Sequence, residues 1–418
     1  ILLQNQIKEY NPRIIYCLPF TSIIDQNSNV FNEIVSYGKI PEWHIAKHHY
    51  LSDYNENYSG ENVSFPESEY LTEGWEQDFI ITTFVQLLES VFTNKNRALR
   101  KFHNMANSII ILDEVQNIPP EYYLIIEEVF VKMAEFFNTK FIFVTATQPI
   151  IFSRNRITEL TDPDKNRTEQ YFKNRERIQL DQSILKDNDY QAKEINDLIE
   201  IFQSDIEKNP DKSFLIICNT IAQSQLVFDE LKKLNSETRK FVYLSGSILP
   251  YRRKQLIKLI QRRIEYQTPQ IIVSTQVVEA GVDIDLDIVY RDFAPLDSIN
   301  QSAGRCNRNG IKGKGVVKLF NSGKSNIYDS ILLKITENIF RKMDKIIEEQ
   351  SFYSLNQQYF QSVQEKITQL SDIAEDLKTA IKNLQLQRVK DNFKLIKEPN
   401  YYYNVFIPYS KKSIKVWN

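Results

Sequence analysis

Short runs of branched apolar residues alternate along the chain with longer segments in which apolar residues recur every three or four positions. Runs of the first kind are typical of parallel strands buried on both faces, and segments of the second kind of the helices that cover them. Nine runs predict strands, at 13–20, 78–83, 108–114, 140–147, 213–220, 240–246, 270–276, 287–293 and 315–320. This alternation predicts an α/β protein with parallel sheets.

A polar, charged stretch with turn-forming residues separates the first four runs from the other five. It predicts a first domain over 1–152, a linker over 153–190 and a second domain over 191–322. From 323 to 418 the pattern becomes mainly helical, and we expect its apolar stripe to pack on the two domains rather than to form a free coiled coil. The stripe consists of Val363, Ile367, Leu370, Ile373, Leu377, Ile381 and Leu384.

The composition, 42% apolar and 25% charged residues, is that of a soluble globular protein. Three widely separated cysteines provide no disulfide framework, which favours a reducing, cytoplasmic setting. Because no apolar run approaches the roughly 18–20 residues that span a bilayer, we do not expect a membrane partner. The net charge is only −2, so a nucleic-acid partner would need a local cluster of cations. The segment 251–263, with six lysines and arginines, is one candidate, and its alternative is an ordinary solvated helix face.

Two adjacent carboxylates, Asp113 and Glu114, directly follow the apolar run that ends at Leu112. Ligands of open α/β sheets bind beyond the carboxyl ends of the strands. At a site that hydrolyses a nucleoside triphosphate, one carboxylate holds Mg²⁺ and its neighbour polarises the attacking water. The structural alternative is that both residues begin a helix, as an acidic N-cap and first turn.

Other strand ends carry hydroxyl groups and arginines. Thr145 and Thr147 follow the next strand and are candidates to hydrogen-bond the carboxylate pair. In the second half, Gln301, Arg305 and Arg308 are spaced by four and three residues, which predicts one shared helix face. Arginines aimed across a cleft at a γ-phosphate are worth on the order of 10³–10⁵ in rate. The alternative for such a pair is a surface salt bridge.

Seven segments, in this order, resemble the motifs of superfamily 2 helicases, and in particular the helicase portion of the CRISPR-associated helicase–nuclease of type I systems. They read IIYCLPFTSIIDQN, TTFVQLLE, ILDEVQNIP, VTATQP, IICNT, VSTQVVEAGVDID and QSAGRCNRNG, and they lie between residues 13 and 320. The resemblance implies two tandem RecA-like domains around an ATP cleft that is crossed by single-stranded DNA. It also implies 3′ to 5′ movement after recruitment to an RNA-guided surveillance complex.

The resemblance assigns roles to individual residues. Asp113 and Glu114 would bind Mg²⁺ and ATP, and Thr145 and Thr147 would couple hydrolysis to the grip on DNA. The residues that would reach ATP from the second domain are Gln301, Arg305 and Arg308, with Gly281 and Asp283 beside them. The residues that would line the DNA path are Pro19, Thr21, Thr83, Asn219, Thr220, Ser274 and Thr275.

Two departures from the family limit what we expect of this chain. The phosphate-binding loop GxxxxGK[ST] is absent. The segment 321–326 has Gly323, Lys324 and Ser325, but Lys318 stands where the first glycine of the loop belongs. We therefore expect an N-terminally truncated first domain that is inactive alone as an ATPase. The nuclease's His-Asp pair is also absent, so the nuclease domain would precede this chain or lie on another one. His44 and His48 would bind Zn²⁺ if they shared a helix face, but no third ligand is evident.

Two further hypotheses remain open. One is an unrelated DExH RNA helicase. The other, motivated by the missing loop, is a catalytically inactive helicase fragment that acts as a DNA- or partner-binding module.

Overall fold

The structure, a computed structural model, places its helices and strands in two sheets. It describes residues 12–19, 24, 31, 45–48, 65–145, 152, 156–160, 166–235, 239–279, 281–310, 313–323, 327–367 and 372–395. Within this part of the chain, no helix combines the length and the apolar character that a bilayer crossing requires.

The first sheet has five strands in the order β2-β3-β1-β4-β5, and every neighbouring pair is parallel. Its strands are β1 (Ile14–Leu18), β2 (Ile45–His48), β3 (Phe79–Thr83), β4 (Ile109–Asp113) and β5 (Lys140–Val144). Its helices are α1 (Phe65–Gly74), α2 (Phe84–Val91), α3 (Asn96–Leu99) and α4 (Tyr123–Phe137), with 3₁₀ turns at Phe102–Met105, Val115–Asn117 and Pro120–Tyr122. Ile15, Ile110 and Leu112 are fully buried, as the apolar runs predict.

The second sheet has seven strands in the order β12-β6-β11-β10-β7-β9-β8. All neighbours are parallel except β12, which is antiparallel to β6. Its strands are β6 (Ile178–Asp181), β7 (Phe214–Ile217), β8 (Lys240–Leu244), β9 (Gln270–Ser274), β10 (Ile288–Asp292), β11 (Gly315–Phe320) and β12 (Ile346–Glu348). The helices of this region are α5 (Asn166–Lys173), α6 (Ser183–Asp187), α7 (Ile195–Lys208), α8 (Ile221–Asn235), α9 (Pro250–Glu265) and α10 (Leu296–Ala303), with a 3₁₀ turn at Gln276–Val278.

The second sheet draws strands from three of the predicted segments. Strand β6 comes from the stretch 153–190, which the sequence predicts as a linker, and β12 comes from the tail. β6 is only four residues long and alternates buried with half-buried positions, so it lacks the continuous apolar run of its neighbours. The domain boundaries themselves stay a prediction.

The tail continues with α11 (Ser330–Arg341), α12 (Phe352–Ile367), α13 (Asp372–Lys382) and α14 (Leu386–Asn392), and a 3₁₀ turn at Glu349–Ser351. Its predicted stripe is therefore divided among separate helices. Val363 and Leu377 are buried, whereas Leu384 is exposed and has a left-handed φ of 54° that ends the run. Lys378 on α13 binds Glu128 on α4 at 3.0 Å, and Phe393 stacks on Phe92 with 4.2 Å between ring centroids. On the other side, Asn300 Nδ2 on α10 donates to Asn356 Oδ1 on α12 at 2.5 Å, so the tail contacts helices beside both sheets, as predicted.

Candidate nucleotide site and nucleic-acid path

The first sheet brings its predicted site residues to one edge. In the register of the sheet Leu18 lies beside Thr83, and Asp113 beside Val144. Because parallel strands end at the same edge, Pro19, Thr83, Asp113 and Thr145 share it. Thr21 and Thr147 lie outside the described residues.

Asp113 is half-buried and retains an oxygen for a ligand. Tyr16 Oη donates to Asp113 Oδ2 at 2.5 Å. In the described part of the chain Asp113 Oδ1 accepts no hydrogen bond. Burial, and then the hydrogen bond to Asp113, raise the pKa of Tyr16, so its hydroxyl remains a donor. Mg²⁺ in phosphate sites takes one or two carboxylates and completes its shell with water and phosphate oxygens, which this arrangement fits.

Glu114 does not cap a helix with its side chain. Its backbone is left-handed, at φ 58° and ψ 44°, and it precedes the 3₁₀ turn Val115–Asn117 without a side-chain capping bond. The acidic N-cap alternative is therefore wrong for Glu114, whose carboxylate instead accepts from Gln116 Nε2. Burial raises the pKa of Glu114, whereas the Gln116 hydrogen bond and the charge of Arg305 lower it. A non-glycine residue in this backbone region is uncommon and is typical of functional sites.

Gln116 connects Glu114 to the end of the neighbouring strand. It is buried, and Thr145 Oγ1 donates to its Oε1 at 2.8 Å while its Nε2 donates to Glu114. A hydroxyl after β5 thus reaches the carboxylate pair through an amide rather than directly. Sequence reasoning missed Gln116, although a polar residue two positions after Glu114 is a usable signal.

The predicted helix face for Gln301, Arg305 and Arg308 is wrong. Helix α10 ends at Ala303, so only Gln301, which is half-buried, lies on it. Past Gly304 the backbone bonds to another segment: Leu286 N donates to Arg305 O at 3.0 Å, and Asn307 N donates to Leu286 O at 2.9 Å. These two bonds replace those that would have continued the helix.

Arg305 nevertheless lies near enough to Glu114 for each charge to affect the pKa of the other. Burial is the main effect that lowers the pKa of Arg305, and the nearby Glu114 is among the groups that raise it. An arginine pKa is high enough that the guanidinium stays charged at pH 7. Its Nη2 donates to Glu279 O at 2.5 Å, whereas its buried Nε has no partner in the part of the chain that the structure describes. Arg305 therefore keeps one buried donor without a partner among the described residues.

Arg308 is engaged in its own domain. It forms a salt bridge with Asp283 at 2.7 Å, in which both side chains are largely exposed. Its backbone N–H donates to Asp285 Oδ1 at 2.8 Å. Gly281, two residues before Asp283, has φ 72°, a conformation that favours glycine. The structure thus brings Asp283 and Arg308 together.

The residues predicted to line the DNA path use their polar groups within the protein. Thr83 Oγ1 accepts from Gln86 N and caps α2 at 3.3 Å. Thr220 Oγ1 accepts from Gln223 N in the first turn of α8 at 3.2 Å. Ser274 is fully buried and donates to a backbone carbonyl.

Asn219 and Thr275 are also buried, while Pro19 is half-buried. Asn219 Nδ2 donates to Phe293 O at 2.8 Å. These residues shape the edges of the two sheets and offer few exposed polar atoms, and their contact with DNA stays a prediction.

A buried ion pair links the loop of Asn219 to that of Arg305. Arg291 is fully buried, and its Nε lies 2.8 Å from Glu279 Oε1. Arg291 Nη1 also donates to Asn219 Oδ1 at 2.7 Å, and Glu279 O accepts from Arg305. Burial raises the pKa of Glu279, and the charge of Arg291 opposes that rise. Sequence reasoning missed this pair, although an arginine inside a buried strand requires a partner.

The histidine cluster does not form the predicted helical pair. His48 lies on strand β2, where residues four apart do not share a helix face. Trp75 Nε1 donates to His48 Nδ1 at 2.9 Å, and His48 Nε2 lies 3.4 Å from Glu73 Oε1. His44 and His49 lie outside the described residues, among which no group of three or more metal-ligating side chains is placed to hold an ion.

The family model and the curated relatives that match this chain are described as Cas3. The family model described as CRISPR-associated nuclease/helicase Cas3, C-terminal, matches residues 210–311. Cas3 of Haloferax volcanii is 28% identical over 383 residues, which cover 71% of this chain and 41% of that protein. Cas3 of Methanothermobacter thermautotrophicus is 26% identical over 220 residues, covering 49% of this chain and 25% of that protein. The chain thus spans less than half the length of these relatives.

Solved structures agree on the fold. T. fusca Cas3 with AMPPNP aligns at a TM-score of 0.67 and 19% identity, covering 91% of this chain and 49% of that one. A chain of a CRISPR RNA-guided surveillance complex before nicking aligns at 0.61 and 16% identity, covering 94% of this chain and 50% of that one. The predicted fold class, α/β with two tandem RecA-like domains, is confirmed. The resemblance of this chain to the helicase portion of the CRISPR-associated nuclease/helicase Cas3 is confirmed as well.

Proposed function

We propose that this chain is the helicase part of a type I CRISPR interference enzyme. It would use ATP hydrolysis to move 3′ to 5′ along single-stranded DNA after recruitment to an RNA-guided surveillance complex, with the nuclease domain outside these residues. The observation that carries the proposal is the carboxylate pair at the edge of the first sheet, where Asp113 keeps an oxygen without a hydrogen bond from any described residue and Gln116 joins Glu114 to Thr145. The charge of Arg305, which lowers the pKa of Glu114, supports it from the second domain. Opposed carboxylates and guanidiniums are what phosphoryl transfer needs.

The geometry supports a division of labour among these residues. Asp113, with its open oxygen, would hold Mg²⁺, and the ion would neutralise charge on the phosphate oxygens. Glu114 would polarise the attacking water, and Gln116, which bonds to both residues, would transmit changes at Glu114 to Thr145. Arg305 would bind the terminal phosphate through its unpartnered Nε. Arg308 would join it only after leaving Asp283, so its present salt bridge marks a state before closure.

The test is Asp113→Asn in the longest natural form of the protein that contains these 418 residues. We expect loss of DNA-stimulated ATP turnover, because an amide is a poor ligand for Mg²⁺, with single-stranded DNA still bound. The matched control is Asp211→Asn, which removes an exposed carboxylate before β7. Unchanged turnover in the Asp113 variant would refute the assignment of the site.

The absence of a GxxxxGK[ST] loop favours a second candidate, an inactive module that binds DNA or a partner. Binding of a fluorescent ATP analogue separates the two. The module hypothesis requires that the longest natural form bind DNA and ignore the analogue. Stimulation of ATP turnover by RNA rather than DNA would instead point to an RNA helicase.

A further inference from the structure

Helix α9 exposes a row of cations that the proposed function leaves unused. Lys254, Lys258 and Arg262 follow one another at four-residue steps, so they share one helix face, and each of them is exposed. Arg252, also exposed, lies near the start of the helix. We call these four residues the basic face of α9.

Three of the four cations of the basic face, Arg252, Lys258 and Arg262, have no counter-charge among the described residues. Like charges four residues apart destabilise a helix. Arg252, Lys258 and Arg262 nevertheless form no salt bridge with any described residue, and Arg252 donates only to the neutral Gln255, at 3.0 Å. In contrast, the exposed Lys132 and Lys233 on other helices each bind a nearby glutamate at 2.7 Å. A local excess of positive charge on a protein of net charge −2 favours an anionic partner.

The position of α9 indicates that its anionic partner is a nucleic-acid strand. α9 begins at Pro250, after a connection of five residues (245–249) from the end of β8 at Leu244, and the carbonyl of Leu244 accepts from the backbone N–H of Thr275 at 3.1 Å. The basic face therefore starts beside the predicted DNA path and continues away from it. Lys254 and Arg262 are eight residues apart, which is about 12 Å along the axis, and a nucleic-acid strand carries a phosphate about every 3.4 Å.

Two exposed tyrosines border the basic face. Tyr251 is 60% exposed and Tyr266 is 80% exposed, one at each end of α9. Surfaces that bind single strands without sequence preference combine cations for the backbone with aromatic rings for the bases. Buried polar groups along the predicted path leave few exposed donors there, so α9 provides the charges that the path itself lacks.

We propose that the basic face of α9 is a second binding surface for single-stranded DNA, continuous with the path of the proposed function, on which this inference rests. The cations contact the phosphate backbone without reading sequence. Strands long enough to leave the path gain affinity from this surface, and short strands do not.

The test compares two triple variants of equal charge change. The first is Lys254→Gln, Lys258→Gln and Arg262→Gln on α9. The control is Lys208→Gln, Lys212→Gln and Lys240→Gln, which removes three exposed lysines at the opposite, amino-terminal edge of the same sheet. Fluorescence anisotropy measures binding of fluorescein-labelled oligo(dT) of 8 and of 30 nucleotides between 50 and 200 mM NaCl, and circular dichroism checks that each variant is folded.

For the 30-mer we expect the α9 variant to bind on the order of tenfold more weakly and to lose about two units of the slope of log K against log salt, since each contact with a single strand contributes about 0.7. The 8-mer and the control variant should stay near the wild type. Equal losses in both variants, or an unchanged α9 variant beside a wild type that binds, overturn the inference and leave the proposed function standing. A wild type that binds neither oligonucleotide overturns both.

Discussion

The charged residues at the carboxyl ends of the strands differ between the two sheets in burial and in hydrogen-bond partners. In the first sheet Asp113 and Glu114 are half-buried, and Asp113 keeps an oxygen that no described residue contacts. In the second sheet Arg291 and Glu279 are buried, and their partners include Asn219, Tyr328 and Ser302. Buried charges that are paired with other side chains hold loops in place. Half-buried charges with an unpaired atom can still bind a ligand. The first edge suits ligand binding, and the second suits positioning.

The largest effect should come from breaking the buried pair. Arg291→Met leaves Glu279 buried without its counter-charge, so we expect a loss of about 3–5 kcal/mol in the free energy of unfolding. Urea unfolding monitored by circular dichroism measures it. The matched control, Arg308→Met, breaks the exposed pair with Asp283 and should cost at most about 1 kcal/mol.

A double variant shows whether the loss of stability comes from the unpaired charge or only from lost packing. Adding Glu279→Gln to Arg291→Met removes the uncompensated charge, so part of the lost stability should return. If the double variant is no more stable than the single one, the unpaired charge of Glu279 does not cause the destabilisation. The proposed difference between the two sheets would then be wrong.

A smaller effect should follow from cutting the connection between Thr145 and Glu114. Gln116→Ala removes a buried amide and leaves its partners without their bonds, at a cost of about 1–3 kcal/mol. Because the Gln116 hydrogen bond lowers the pKa of Glu114, its loss raises that pKa. The acid limb of ATP turnover in the longest natural form should then move to higher pH. Gln225→Ala, on the exposed face of α8, should leave the pH profile in place.

The smallest effect concerns the cost of keeping Glu114 ionised. Burial raises its folded pKa, so the folded state binds the proton more tightly than the unfolded chain, and stability falls as pH rises through that window. Glu114→Gln should therefore raise the Tm at pH 7 while abolishing ATP turnover. The gain should shrink near pH 4, where the wild-type carboxyl is protonated too. A variant that is less stable at pH 7 would contradict this view of Glu114.

The strands were the most predictable feature. Nine apolar runs predicted strands, and each of them contains one, from β1 to β11. Asp113 and Glu114 also lie where the end of an apolar run predicted them. Three strands were not predicted: β2 and β6, which are four residues long, and β12, which has three residues. β7 is also four residues long but is apolar throughout, whereas β2, β6 and β12 contain polar residues that interrupt the apolar run.

Helix predictions from residue spacing were wrong where hydrogen bonds to distant segments replaced those within a helix. The steps between Gln301, Arg305 and Arg308 suit a helix, but Leu286 takes the backbone groups that would have extended α10. The stripe of the tail likewise belongs to two helices, α12 and α13, and it ends at Leu384, whose left-handed backbone the periodicity did not reveal.

By itself the sequence determined the order and kind of the main elements, the resemblance to one helicase family and the carboxylate pair at the end of β4. These are local properties, since a strand's apolar run and a motif are each read within a few residues. Only the tertiary structure decided which polar groups are already partnered and which remain open. Arg291 and Asn219 meet across 72 residues of chain, and the charge of Arg305, from the second sheet's region, lowers the pKa of Glu114 in the first. Burial and hydrogen-bond partners depend on such distant neighbours, and no local pattern records them.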